Sequence, residues 1–186
     1  MKEVENILRI LKSASQMIES DKTLGLKDLS DQTIHSATIS QDPDNIIVAV
    51  LVYALSKSFN RDYYRKMEGW KTFEVSVKKN LKSAYFALES NDVDRCRVGL
   101  GKIRNSINKI NGNLSNYIKS IFEKAKINKA FRMYEHGLSS EQTAELLGIS
   151  LWDLATYIGQ DSSAESRHPI SMPIKKRIKL AEDFFN

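Results

Sequence analysis

Between Val93 and Ile121 the apolar residues recur by threes and fours: Val93, Cys96, Leu100, Ile103, Ile107, Ile110, Leu114, Tyr117 and Ile121. That spacing keeps one face of a helix apolar along its length, whereas a half-buried strand alternates by twos. A chain with such a seam must bury it against other helices. Gly99, Gly101 and the Asn111-Gly112-Asn113 run interrupt the pattern, since an internal glycine costs roughly 1 kcal/mol of helix propensity relative to alanine. The apolar phase survives across Gly112, so we expect one long bent helix or two nearly collinear ones. They should pack in a bundle, antiparallel to a helix over residues 70–88, rather than in an intermolecular coiled coil.

The remaining periodicity is helical as well. Val4, Ile7, Leu8, Leu11, Ala14 and Ile18 mark an amphipathic helix near residues 2–20, and a short second helix is expected around 26–37. Asp42-Pro43 is a helix start signal, with Asp42 as cap and Pro43 in the first turn. Residues 46–59 are then apolar almost all round, which predicts the buried centre of the N-terminal part. Trp70, Phe73, Val77, Leu81, Ala84 and Leu88 give the next helix, closed by Asn91-Asp92. The fold class is therefore all-α, with a helical bundle domain over 1–122, a helix-turn-helix over 123–160 and a tail over 161–186. In that tail a loop precedes a basic amphipathic helix with Lys175, Lys176, Arg177 and Lys179 outside and Ile178, Ala181, Phe184 and Phe185 inside.

The helix-turn-helix reading rests on residues 138–160. Ala144 supplies the small residue needed where two helices cross, and Gly148, four later, supplies the positive φ of the turn. Leu147, Ile149, Leu154 and Tyr157 or Ile158 are spaced to share one core. Ser139 or Ser140 can cap the first helix with Glu141 in its first turn, and Ser150 caps the second with Asp153 three residues on. Residues 127–136, stopped by Gly137, complete a three-helix unit.

A recognition helix normally offers Arg, Lys, Asn or Gln to base edges. Between Ser139 and Gln160 there is no Lys or Arg, only Glu141, Glu145 and Asp153. The residues nearest a groove would be Ser150, Leu151, Trp152, Ala155, Thr156 and Gln160, so phosphate contacts must come from elsewhere. Residues 97–132 hold nine basic residues against Glu123 alone, while residues 1–60 hold six basic and eight acidic. Lys119, Lys124, Lys126, Lys129 and Arg132 are the candidates for the backbone contacts on which affinity for nucleic acid chiefly rests. The competing readings are a solvated bundle face and a helix-turn-helix used only for packing or dimerisation. Arg61, Tyr63, Tyr64, Arg65, Lys66 and Trp70 mix cations with aromatics and could grip a single strand by stacking. The plainer reading makes them helix-edge aromatics with solvated neighbours.

Other chemistry is not signalled. A net charge of +5 and a pI near 9.2 tilt the chain towards acidic partners without requiring them. Cys96 is the single cysteine, so no intrachain disulfide can form, a reducing compartment is expected, and the thiol should sit in the core. His35, His136 and His168 lie far apart in sequence, and no metal, cofactor, phosphate loop or catalytic constellation is indicated. Residues 1–11 do not form a signal peptide, and the longest apolar run, 46–54, is too short to span a bilayer. A cytoplasmic protein without membrane contact is expected.

Two family resemblances bear on function. Residues 129–159, and Ala144-Glu145-Leu146-Leu147-Gly148-Ile149-Ser150-Leu151-Trp152-Asp153-Leu154 in particular, resemble the helix-turn-helix of small antitoxins from prokaryotic, especially archaeal, toxin-antitoxin modules. That resemblance covers about a sixth of the chain. It implies autoregulatory DNA binding and a C-terminal segment that occupies a toxin, although this chain adds a long N-terminal helical region and a basic tail. Helical ribonucleases of the HEPN type carry Arg followed four to six residues later by His. The nearest match here, Arg104-Asn105-Ser106-Ile107-Asn108-Lys109, has Lys109 in place of the His. The resulting expectation is a non-enzymatic, antitoxin-like DNA-binding transcriptional regulator. Its partners would be duplex DNA and a toxin-like protein, with a homodimer open. A helical protein-interaction adaptor is the alternative, and a HEPN-like ribonuclease the weaker one.

Overall fold

The computed structural model describes residues 1–110 and 113–165, with side chains described as far as residue 160. Among the described residues the chain is helical throughout and contains no strand. Its helices are α1 (Val4–Glu19), α2 (Leu26–Ser40), α3 (Pro43–Phe59), a one-turn α4 (Asp62–Arg65), α5 (Trp70–Glu89), α6 (Val93–Ser106), α7 (Asn113–Glu135), α8 (Ser140–Leu147) and α9 (Leu151–Glu165). The tail helix expected over 174–185 lies outside the described residues, as do Asn111 and Gly112.

Helix α3 starts where its signal places it: Asp44 donates its backbone N–H to Asp42 Oδ1 at 3.1 Å, with Pro43 at the first position. Because α3 is apolar nearly all round, burial on a single face cannot satisfy it. It packs against α1, α2, α6 and α7, burying Val48, Val52 and Leu55 completely. Helices α5 and α6 form a hairpin closed by Asn91 in the left-handed region and by Asp92, whose side chain accepts the Arg95 N–H at 2.9 Å. Their close approach falls at Gly99, where a Cβ would lie 2.9 Å from the Cβ of Ala84.

The seam does not run as one helix. After α6 come a 3₁₀ turn over Ile107–Lys109 and an extended Ile110, with φ −83° and ψ 129°. Two helices therefore carry the seam, and of its members in α7 Leu114 and Ile121 stay buried. Ile118 is buried and Tyr117 lies exposed, its ring 5.7 Å from that of Tyr64. Helix α7 is then unbroken for 23 residues, roughly 35 Å at 1.5 Å per residue. The helix expected over 127–136 is only its second half. The expected boundary between 122 and 123 falls inside it.

Two apolar clusters result among the described residues. The larger joins α1, α3, α5, α6 and the first half of α7 around Ile10, Leu55, Phe73, Leu81 and Ile103. The smaller joins Leu147 of α8 and Leu154 of α9 to Ala130, Phe131 and Met133 of α7, and it also takes Ile34 and Ala37 from α2 and Ile46 and Ala49 from α3. The helix-turn-helix thus shares its core with the N-terminal bundle.

The two glycines of α6 make a matched test of the hairpin. Gly99→Ala is expected to destabilise by about 1–2 kcal/mol, the overpacking cost outweighing the gain in helix propensity. Gly101, where an added Cβ meets nothing within 4 Å, should instead gain about 0.5–1 kcal/mol as Ala. Urea denaturation of both variants measures the difference.

Candidate nucleic-acid interface

The turn between α8 and α9 is built by its own residues. Ser139 Oγ accepts the Gln142 N–H at 3.1 Å and opens α8. At its end Gly148 takes φ +60°, Ile149 N–H donates to Ala144 O at 3.0 Å, and Gly148 N–H donates to Glu145 O at 3.2 Å. This pair of bonds closes a helix on a left-handed residue, a conformation glycine reaches without steric cost. Ser150 Oγ then accepts the Asp153 N–H at 3.0 Å and donates to Asp153 Oδ2 at 2.6 Å, opening α9. Leu154 is fully buried, and Tyr157 packs on Phe131 with ring centroids 5.4 Å apart while its hydroxyl accepts from Asn128 at 3.1 Å. With that face anchored, Ser150, Leu151, Trp152, Ala155, Thr156 and Gln160 are left exposed, Trp152 to 80%.

A groove of about 570 Å³ runs between α9, α7 and the end of α3. It brings Lys124 together with Trp152, Thr156 and Gln160, four of the residues expected to meet nucleic acid. It also adds Lys57 from the last turn of α3 and Arg61 from just beyond it. The Lys57 ammonium lies 5.1 Å from the Tyr53 ring, and the Arg61 guanidinium lies 5.3 Å from the Tyr64 ring while donating to the Tyr64 hydroxyl at 2.5 Å. Lys57 is the one cation in the apolar α3, and its place in the last turn of that helix was its only sequence signal. Asp153 lines the same groove, so the lining is three cations against one carboxylate.

The other expected cations part company with α9. Lys119 lines a small pocket of about 230 Å³ with Arg104, Asn105 and Asn108, where no imidazole is present to complete the ribonuclease pattern. Lys126 pairs with Glu123 at 3.0 Å and faces a cavity on another side of α7. Arg132 pairs with Glu135 at 2.8 Å. Lys129 corrects the expectation outright. It is 0% exposed, donates to Asp31 at 2.6 Å and lies 4.4 Å from the Tyr53 ring, so it cannot reach a phosphate. Burial depresses its pKa, although the bond to Asp31 opposes that shift.

The aromatic stretch over 60–70 is mostly structural: Tyr64 and Trp70 are buried and Arg65 is held by Asp21 at 2.9 Å. Tyr63 is left exposed, too little for a stacking platform. Histidines 35 and 136, distant in sequence, meet with ring centroids 5.1 Å apart, but among the described residues no group of three or more His, Cys, Asp or Glu could hold a metal ion. Cys96 is buried, and desolvation pushes its thiol up to about 11, which suits a core residue rather than a nucleophile. None of the described helices is long and apolar enough to cross a membrane. No family model, no curated protein and no solved structure matches the chain.

The buried lysine yields a stability test. Its charged form is disfavoured in the fold, so the unfolded chain holds that proton to higher pH, and stability rises with pH as Lys129 titrates towards its ordinary 10.5. Lys129→Met should raise stability at pH 7 by about 1–2 kcal/mol, because Asp31 is partly exposed and stays hydrated when its partner is removed. That advantage should shrink in urea melts as the pH approaches 10.

Proposed function

We propose that the protein is a DNA-binding regulator in which α9 is the reading helix and Lys57, Arg61 and Lys124 hold the phosphate backbone. The observation that carries this reading is the groove: cations from α3, from its exit and from α7 line the same depression as the exposed face of α9. A helix-turn-helix whose own surface is neutral to acidic needs such borrowed charge, since phosphate contacts position the protein and base contacts specify the sequence. Trp152, Thr156 and Gln160 lie on the side of α9 turned to the groove and would meet base edges and methyl groups. The antitoxin-like pattern of residues 129–159 supports autoregulation of a module with a toxin-like protein partner.

A second reading, the protein-interaction adaptor, has one specific observation in its favour. Leu151 and Trp152 stand side by side at 49% and 80% exposure, an apolar pair of the kind that anchors protein interfaces.

The two separate on salt dependence. Fluorescence anisotropy with labelled duplex DNA should show affinity falling steeply with salt in the regulator. Replacing Lys57, Arg61 and Lys124 by Ala should lower the logarithmic salt slope by about 2–3, roughly one per phosphate contact. Lys119→Ala and Lys129→Met should leave it unchanged. No duplex binding at low salt, together with a protein complex abolished by Leu151→Asp, would establish the adaptor instead.

A further inference from the structure

On another side of α7 lies a cavity of about 510 Å³, a size typical of small-molecule sites. Its walls are apolar and come from four helices, with Ile47 and Val50 of α3, Leu100 of α6, Phe122 of α7 and Leu146 of α8 among them. Ile47 is a large aliphatic side chain left half exposed among the described residues. The rim carries Arg97, Arg104 and Lys126 against Asp44 alone, a net charge of +2 for the lining.

The cations are not equivalent. Arg97 is committed to Asp44 by two bonds of 3.0 and 2.8 Å, and Lys126 to Glu123 at 3.0 Å. Arg104 is exposed, and its guanidinium forms no hydrogen bond or ion pair among the described residues. A planar guanidinium with spare donors at the edge of an apolar cavity fits a carboxylate in bidentate fashion. Gly101 adds a separate observation. Gly99 is forced by its contact with Ala84, whereas a Cβ at Gly101 would meet nothing. Gly101 lines this cavity, so a glycine that lowers helix propensity by roughly 1 kcal/mol leaves open space above α6 in return.

We propose that this cavity binds an amphipathic monocarboxylate, with its hydrocarbon body against Ile47, Leu100 and Phe122 and its carboxylate on Arg104. The assignment stands apart from DNA binding and does not depend on it.

Isothermal titration of the full chain with dodecanoate, and with 1-dodecanol as the uncharged counterpart, tests the assignment. Dodecanoate should bind at least ten times more tightly than the alcohol. Arg104→Gln should reduce dodecanoate to the level of the alcohol. Gly101→Leu, which fills the cavity from a position with no steric neighbour, should abolish heat from both while the urea midpoint shows the fold intact. Equal binding of the two probes, full affinity in Arg104→Gln, or wild-type binding in Gly101→Leu would each overturn the proposal.

Discussion

Helix α3 carries apolar side chains on nearly every face, and a helix of that kind is stable only when other helices surround it. The arrangement of the molecule follows from meeting that demand. Helices α1, α2, α6 and α7 all pack against it, and α2 and α7 also meet one another beside it. Each of the two apolar clusters contains residues of α3: Val48, Leu51, Val52 and Leu55 in the larger, Ile46 and Ala49 in the smaller. The last turn of α3 breaks from this pattern with Lys57 and, just beyond it, Arg61. The charge at the edge of the α9 groove is therefore fixed in place by the most deeply buried element of the fold.

Helix α7 is the second constraint. Its first half closes the bundle and its second half floors the helix-turn-helix, so one rigid rod carries side chains into three different surroundings. Lys124 faces the α9 groove, Lys126 a separate cavity, and Lys129 the interior. A run of nine cations counted along the sequence reads as a single handle, but a helix turns by 100° per residue and distributes neighbours around its axis. The charge run therefore overstated the cationic surface available to α9, and Lys57 and Arg61 restore part of it.

What the sequence made legible was local. Asp42-Pro43, Asp92, Ser139, Gly148 and Ser150 each act through backbone groups within three or four residues, and all five cap or turn a helix where their residue types require it. The apolar periods of α1, α5 and α6 were equally readable, since each helix buries the stripe its spacing defines. The hidden features depend on residues far apart. The Asn111-Gly112-Asn113 run marked a possible break in the seam, but nothing local marked that Ile118 would be buried beyond it and Tyr117 exposed. The Lys129 ammonium looks like any solvated lysine until Asp31 and Tyr53 are placed beside it. Lys57 and Lys124 share a groove only because α3 and α7 pack together, and the meeting of His35 with His136 has the same origin.

The shared smaller cluster also sets an order of events. Asp31 and Lys129 bond across 98 residues of chain, and Leu147 and Leu154 rest on α7 in a cluster that also takes side chains from α2 and α3. Contacts of such long sequence separation form late, because the intervening loop must close before they contribute. A nascent chain released from the ribosome would therefore settle its hairpins before α8 and α9 find a seat. Those two helices, supported by few contacts of their own, would be the earliest to let go under mild denaturant, well before the body melts.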